Sequence, residues 1–295
     1  MMASMQRELD ERRPRARNIA AGEGWRVSDV VCRLGPGDKP FEEQHEEVSI
    51  AAVLAGSFHY RSESGRALLY PGAFLLGNAG ACFTCGHEHA RGDRCVAFHF
   101  DREFFAEIAA SMAGSHRFRF PTPMLPAASV LAPVLAEAEA ATAGQAMLEE
   151  RILALLEAVL ARFSTEVPRI PDPKPKDRRR IGDAVRHIER NFDRSLSLAE
   201  LASIAGMSRY HFLRTFRRAL GTTPYRLVQD MRLRRAALAL ATTAEPVAAV
   251  AFAAGFGDLS TFNARFRALF GKTPTAFRSQ RPRRSSVRAS TLASS

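Results

Sequence analysis

The sequence predicts an α+β protein, with a β-rich N-terminal half of the sandwich or small-barrel type and an all-α C-terminal half. Between residues 27 and 101, short apolar runs alternate with glycine and proline turns, which favours short strands. After residue 126, apolar residues recur every three or four positions in several segments, which indicates helices. Four prolines between residues 168 and 175 separate the halves. The length of 295 residues suits about two domains.

The strand predictions rest on apolar residues that alternate with residues of the opposite face. The alternating residues are Val48, Ile50, Ala52 and Leu54 in one run, and Val96, Phe98 and Phe100 in another. Pro71 and Gly72 lie between two apolar runs and predict a turn. These runs and the helices that follow them predict a first domain over residues 26–163.

Two helices are predicted between residue 126 and residue 163. We expect one of them to cover the β-rich domain and the other to pair with a second copy of the chain. The predicted dimerisation face consists of apolar residues at spacings of three and four. These residues are Leu148, Ile152, Leu155, Leu156 and Val159.

The remaining boundaries follow from composition. Residues 164–177 are predicted to form an extended Pro-rich linker, because closely spaced prolines cannot continue a helix. Residues 1–25 are polar and rich in arginine, and we expect them to be mobile. The basic tail 281–295 lacks an apolar period and is predicted to be disordered, which leaves 178–280 as a second domain.

Positive charge is concentrated in the C-terminal half. From Lys176 onward the chain has 23 Lys and Arg residues against 8 Asp and Glu residues, whereas the first 175 residues have 19 and 23. A strongly basic domain joined to a slightly acidic one suggests a polyanionic partner for the basic domain. Arginine dominates the basic set, and its guanidinium group suits bidentate contact with phosphate or guanine.

The C-terminal half contains an internal duplication. The first copy has Ala202, Gly206, Met207, Phe212, Phe216, Gly221 and Pro224, and the second has Ala251, Gly255, Phe256, Phe262, Phe266, Gly271 and Pro274. The turn of the second copy is one residue longer, and the other spacings agree. Each copy therefore predicts a helix, a glycine turn and a second helix, so the domain holds two helix-turn-helix units.

Capping signals set the limits of these helices. Ser197 and Glu200 form a capping box, and Ser208 and Asp258 precede the second helix of each unit. Thr223 and Pro224 begin a stretch without helix breakers that extends to residue 241. A helix of this length measures about 28 Å, which approaches the ~34 Å of one turn of B-DNA.

Helical geometry assigns an exposed face to each second helix. With Phe212 and Phe216 directed to the core, aromatic and basic residues lie on the opposite side, as contact with base edges and phosphates requires. The same construction places Phe262 and Phe266 inward in the second copy. The residues predicted to bind DNA are Arg209, Tyr210, His211, Arg214, Arg217, Arg218, Ser260, Thr261, Arg265 and Arg267.

The segment from Arg180 to Arg278 resembles the AraC/XylS family of bacterial transcription regulators. The motifs that carry the resemblance occur in order: Ser197-Leu-x-Glu-Leu-Ala, Gly206-Met-Ser, Phe212-x-Arg214-x-Phe216, Gly221-x-x-Pro224, Arg232-Leu, Gly255-Phe256 and Gly271-x-x-Pro274-x-x-Phe277-Arg278. The resemblance implies seven helices and two recognition helices, with base contacts from Tyr210, Arg214, Ser260 and Thr261. Family members have long polar side chains where this chain has Leu213 and Ala264. The resemblance also implies an N-terminal cupin-like barrel that binds an effector and dimerises.

A cluster of potential metal ligands lies in the N-terminal half. Cys82, Cys85, His87 and His89 are spaced densely enough to form a tetrahedral zinc or other transition-metal site. His45, His87 and His89 are alternatively candidates for effector binding. The same residues also suit a polar strand end with small buried thiols, or a redox sensor. No other cofactor is predicted, and the four cysteines are expected to be reduced.

The leading hypothesis is a non-enzymatic regulator that binds double-stranded DNA, a small-molecule effector and RNA polymerase, and that forms a homodimer. The alternatives are a metal-dependent cupin enzyme or a metal or redox sensor fused to a DNA-binding domain, a DNA-repair methyl acceptor, and an architectural DNA binder. Neither a signal peptide nor a membrane span is predicted, so we expect a cytoplasmic bacterial protein that associates with the nucleoid. The outcome of regulation, activation or repression, stays open.

Overall fold

The computed structural model describes residues 14–36, 38, 40, 42–87, 92–127, 131–142, 149–164 and 174–279. Several sequence predictions lie outside these residues: the start of the mobile segment, His89, Leu148, most of the linker, and the basic tail 281–295.

The N-terminal half is rich in sheet, as its alternating apolar residues predict. Its strands are β1 (Arg15–Gly22), β2 (Trp25–Cys32), β3 (Glu42–Gln44), β4 (Val48–Ala55), β5 (Phe58–Ser62), β6 (Gly65–Leu69), β7 (Phe74–Gly77), β8 (Cys82–Gly86), β9 (Asp93–Phe100) and β10 (Met124–Leu125). One sheet has six strands in the order β1-β2-β9-β4-β7-β10, and the other has four in the order β3-β8-β5-β6. The paired strands are antiparallel.

Strand alternation divides the six-stranded sheet into two apolar faces. In β4, Ala51 and Val53 belong to the core that also contains Phe58 and Tyr60 of the four-stranded sheet. Ile50 and Ala52, which alternate with them along β4, belong to a second core on the opposite face. Side chains of successive strand residues point to opposite faces, so one strand contributes to both layers.

Helices form the rest of the fold. They are α1 (Arg102–Ala113), α2 (Ala132–Thr142), α3 (Glu149–Ser164), α4 (Pro175–Asn191), α5 (Leu198–Ile204), α6 (Arg209–Leu220), α7 (Pro224–Thr242), α8 (Val247–Ala253), α9 (Leu259–Phe270) and α10 (Pro274–Ser279). Residues of α1, α2 and α3 cover the outer face of the six-stranded sheet. Helices α5–α6 and α8–α9 form the two helix-turn-helix units, and α7 connects them.

The prediction that α3 presents a dimerisation face is wrong for its four described residues. Ile152, Leu155, Leu156 and Val159 are completely buried and pack against the outer face of the chain's own six-stranded sheet. Their spacing of three and four residues indicates a buried helix face but carries no information about which surface covers it. A second copy of the chain therefore has no access to these side chains.

Two predicted boundaries also change. Residues 15–22 belong to the segment predicted to be mobile, but they form β1, which pairs with β2 at the edge of the six-stranded sheet. An edge strand tolerates the arginines of this segment because their side chains stay in solvent. Helix α4 begins at Pro175, so the last residues of the predicted linker are helical. Proline fits this position because the first helical residue needs no backbone donor.

The two halves of the molecule are joined by buried hydrogen bonds around one turn. The Tyr70 hydroxyl donates to the backbone carbonyl of Leu220 at 2.8 Å, at the end of α6. Arg234 of α7 donates to the carbonyl of Pro71 at 3.0 Å, and its side chain is buried. Gly72 accommodates this guanidinium group, since a Cβ at Gly72 would lie 2.9 Å from it. The turn therefore contacts both the first helix-turn-helix unit and the connecting helix.

We predict that Leu155→Ala lowers the free energy of unfolding by about 2–5 kcal/mol, because it leaves a cavity between α3 and the sheet. Chemical denaturation would measure the change, with Glu157→Ala at an exposed position of the same helix as the control. Analytical ultracentrifugation should show the same oligomeric state for both variants. A dissociated oligomer with unchanged stability would contradict the assignment of Leu155 to the core.

Candidate nucleic-acid interface

Helix α6 has sharply defined ends. The Ser208 hydroxyl accepts a hydrogen bond from the His211 amide, and Gly221 ends the helix in the left-handed conformation with φ of 68°. Phe212 and Phe216 are completely buried, and their rings pack at 5.4 Å between centroids. Burial of these two rings fixes the rotation of the helix about its axis, so the opposite residues must face solvent.

The solvent face of α6 combines an aromatic ring with several arginines. Tyr210 is 77% exposed, and the Arg214 guanidinium lies 6.0 Å from the centre of its ring. Arg209, Arg217 and Arg218 are also exposed, whereas His211 is half-buried. Arg218 lies 4.0 Å from Asp177 of α4. The face thus presents donors for base edges and for phosphates.

Helix α9 is built in the same way. Asp258 caps it by accepting a hydrogen bond from the Thr261 amide at 2.7 Å, and that bond lowers the pKa of the carboxyl group. Phe262 and Phe266 are buried, and Gly271 ends the helix. Ser260, Thr261 and Arg267 are exposed, as helical geometry predicts.

The solvent face of α9 offers fewer free donors than that of α6. Ala264, at the position that corresponds to Arg214, is exposed and has no polar atom in its side chain. Arg265 is half-buried and donates to the Tyr225 hydroxyl at 2.7 Å, and it also lies over the Tyr225 ring. This arginine therefore links α9 to the start of α7.

Two exposed side chains of this surface were not among the predicted residues. Asn263 of α9 is exposed, and an amide of this kind can bind adenine through two hydrogen bonds. At about 100° per residue, Asn263 lies about 80° around the helix from the mean direction of Phe262 and Phe266, which places it at the edge of the exposed face and was the signal available in the sequence. Tyr225 is 61% exposed at the start of α7, and only the structure shows its contact with Arg265.

A polar network holds α5 in place. Glu200 accepts from Arg194 at 2.5 Å and lies 2.8 Å from His187 of α4. The hydrogen bonds from Arg194 and His187 lower the pKa of Glu200 to about 2. Arg232 of α7 donates to the carbonyls of Phe192 at 2.6 Å and Arg194 at 2.8 Å. These contacts tie the first helix-turn-helix unit to the connecting helix.

Two histidines of the N-terminal half, one associated with each sheet, make polar contacts inside the domain. His45 is buried, contacts the Tyr60 hydroxyl at 2.8 Å and stacks on Phe83 at 4.1 Å. Burial lowers the pKa of His45 to about 4, so the ring is neutral near pH 7. On the other sheet, Ser49 and His99 lie 3.2 Å apart, and burial lowers the pKa of His99 to about 4.

The structure does not bring the predicted metal ligands together as a set. Cys82 is exposed on β8, Cys85 is half-buried, and His87 is buried. Residues three apart in a strand point to opposite faces, which separates the two thiols. The ligand atoms of His87 instead lie within 4.8 Å of those of Cys32 and Asp93.

The predicted effector-binding histidines are likewise divided. His45 contacts Phe83 near the start of β8, whereas His87 follows the end of that strand. Four residues of extended chain span about 13 Å, so the two imidazoles belong to different places. His89 lies outside the described residues.

Residues 201–280 match the protein family described as a helix-turn-helix domain. The TetD protein of transposon Tn10 from Escherichia coli is 33% identical over 98 residues, which are 33% of this chain and 71% of TetD. The probable transcriptional regulator LumQ from Photobacterium leiognathi is 34% identical over 91 residues, 31% of this chain and 37% of LumQ. A crystal structure of an AraC-type transcriptional regulator from Chromobacterium violaceum is 31% identical, covers 36% of this chain and 94% of that chain, and has a TM-score of 0.34.

Within the described residues, every helix is too short or too polar to cross a membrane.

We predict that Ser208→Ala lowers the free energy of unfolding by about 0.5–2 kcal/mol, because the His211 amide loses its capping acceptor. Thermal and chemical denaturation of the DNA-free protein would measure this. Ser203→Ala, at an exposed position of α5, is the matched control and should change stability less. Equal effects of the two substitutions would argue against a capping role.

Proposed function

The chain belongs to the AraC/XylS family of bacterial transcription regulators, and from this membership we propose how it reads DNA. Helices α6 and α9 enter successive major grooves on one side of the duplex. Helix α6 supplies most of the base recognition, and arginines beside it bind phosphates. The observation that carries the proposal is the exposed Tyr210–Arg214 face of α6, opposite the buried Phe212 and Phe216.

The length of the connecting helix supports binding to successive grooves. Helix α7 has 19 residues, and a helix of that length measures about 28 Å. Recognition helices that bind neighbouring major grooves on one face of DNA are about 34–36 Å apart. The widths of the flanking units add to the length of α7, so this spacing is within reach.

The two helices differ in their exposed hydrogen-bond donors, and this difference supports α6 as the main base-reading helix. Arg214 has a long, planar donor that suits the two acceptors of guanine in the major groove. Ala264 has none at the corresponding position, and Arg265 is engaged with Tyr225. Ser260, Thr261 and Asn263 leave α9 with shorter polar groups, which suit weaker base contacts. Arg209, Arg217, Arg218 and Arg267 are assigned mainly to phosphates.

We expect Arg214→Ala to weaken specific DNA binding by about 1–3 kcal/mol and to relax base preference at one position. Arg217→Ala should weaken binding to all sequences more evenly and lower the salt dependence. Thr261→Ala should weaken specific DNA binding less than Arg214→Ala does. Sites would first be selected from a random DNA pool, and affinities would then be measured by fluorescence anisotropy at several salt concentrations.

The outcomes separate the assigned roles. If Arg214→Ala and Arg217→Ala both lower the affinity for all DNA sequences by the same factor, the division into base and phosphate contacts is wrong. If Thr261→Ala has the larger effect, α9 is the main reader. If random-pool selection yields no preferred sequence, the protein is an architectural binder that contacts only the phosphate backbone.

The N-terminal half is proposed to be a cupin-like domain that binds a small-molecule effector. His45, Tyr60, Ser49 and His99 supply polar atoms inside the two-sheet domain. This domain also contacts the first helix-turn-helix unit and α7 through the turn at Tyr70. Binding within the domain therefore has a physical route to the DNA-reading helices.

A homodimer and contact with RNA polymerase are further proposals.

We predict that an effector of the full-length chain raises its melting temperature in a screen of small polar metabolites. The His45→Gln variant should lose most of that increase while it keeps DNA affinity in the absence of ligand. Arg66→Gln, at an exposed position of β6, serves as the control and should retain the response. A ligand whose effect survives His45→Gln unchanged would place the effector elsewhere.

A further inference from the structure

A second cluster of ligand-type side chains lies at one end of the two-sheet domain. Cys32 is the last residue of β2 and Asp93 is the first residue of β9, and the two are directly paired in the sheet register. His87 follows β8 immediately. The ends of three separate strands thus bring a thiol, an imidazole and a carboxyl group to one place, although Cys32 and His87 are 55 positions apart in the sequence.

The cluster is compact and shielded from water. One potential ligand atom from each of Cys32, His87 and Asp93 lies within 4.8 Å of the others. His87 Nε2 contacts Asp93 Oδ2 at 2.5 Å, and the side chains of these two residues are 2% and 8% exposed. Zinc–ligand bonds of about 2.0–2.3 Å place the ligand atoms of a tetrahedral site about 3.3–3.8 Å apart. Small side-chain rotations therefore bring these atoms to bonding distance of one ion.

The His87 ring has an unused nitrogen. Its Nδ1 atom is buried and has no hydrogen-bond partner among the described residues. A buried polar atom without a partner is unfavourable, and native structures usually satisfy it with protein, water or an ion. In a zinc site formed by Cys32, His87 and Asp93, one His87 ring nitrogen binds the ion in place of the present His87–Asp93 hydrogen bond. A carboxylate that accepts from one ring nitrogen lies too far from an ion on the other nitrogen to bind it.

A further thiol adjoins the cluster. The Cys95 thiol donates to Asp93 Oδ1 at 3.5 Å, and its side chain is buried. A thiolate, an imidazole and a carboxylate are all established zinc ligands, and a second thiol can complete a tetrahedral set. Thiol ligands disfavour Mg²⁺ and Ca²⁺, which prefer oxygen.

An access path leads from solvent to the cluster. Cys32 and Asp93 line an open cavity of about 700 Å³, whose other wall includes Arg186, Glu189 and Arg190 of α4. Gly92 permits the close approach of the strand ends here, because a Cβ at this position would lie 2.4 Å from the Cys32 carbonyl oxygen. The Gly56 amide donates to Glu189 at 2.6 Å across the same region.

We propose that Cys32, His87 and Asp93 form a binding site for a thiophilic divalent metal ion, best matched by Zn²⁺, with Cys95 as the nearest additional ligand. Cys82 and the DNA-reading surface take no part in it. Binding requires the thiolate form of Cys32 and releases its proton to solvent. The site is separate from His45, which contacts Phe83 near the start of β8, whereas His87 follows the end of that strand.

The full-length protein would be incubated with excess Zn²⁺, dialysed, and analysed by elemental mass spectrometry. We expect about one zinc ion per chain in the parent protein and in Cys82→Ser, whose thiol is exposed. Cys32→Ser and His87→Gln should each lower zinc affinity by at least about tenfold. With Co²⁺ in place of zinc, the parent protein should show a thiolate-to-cobalt charge-transfer band that Cys82→Ser retains.

Circular dichroism would establish whether each variant is folded. If Cys32→Ser does not fold, the cobalt band of the parent and of Cys82→Ser still shows whether a thiolate other than Cys82 binds the ion. Parent protein that retains no zinc, or that shows no thiolate band with Co²⁺, would overturn the proposal. The same conclusion follows if Cys82→Ser loses zinc as completely as Cys32→Ser, since the ion would then lie in the sequence cluster on β8.

Discussion

The DNA-reading function depends on the burial of one phenylalanine pair in each helix-turn-helix unit. Phe212 and Phe216 in the first unit, and Phe262 and Phe266 in the second, are completely buried. Because each pair fixes the rotation of its helix, it also determines which side chains reach solvent. Tyr210 and Arg214 are available to DNA because the core holds the opposite face of α6. The chemistry that each helix exposes thus depends on apolar packing inside the domain.

The two units share this construction but differ in their exposed chemistry. The first unit presents free guanidinium groups, whereas the second uses Arg265 in an internal contact with Tyr225. Equivalent packing with unequal donors is compatible with one unit that discriminates sequences and another that mainly adds affinity. The polar network of Glu200, Arg194 and Arg232 stiffens the first unit further.

Local signals explain why the C-terminal half was predictable from the sequence. Caps such as Ser208, Asp258 and Gly221 act within three or four residues, so their spacing alone defines the helix ends. The errors arose where distant residues meet. Leu155 had the correct period, but sequence does not reveal that its cover is the chain's own sheet. Cys32 and Asp93 are brought together only by strand register, and no spacing rule indicates that pairing.

The turn at Tyr70, Pro71 and Gly72 has a consequence for engineered hybrids of such regulators. The Tyr70 hydroxyl and the Pro71 carbonyl meet the Leu220 carbonyl and the Arg234 guanidinium in buried hydrogen bonds. A chimera that joins this C-terminal half to a foreign sensor module would remove the Tyr70 donor from the Leu220 carbonyl and the Pro71 acceptor from Arg234. Exchange of modules within the family therefore requires a graft that retains this tripeptide, or compensating changes at Arg234, and a linker alone does not make the halves interchangeable.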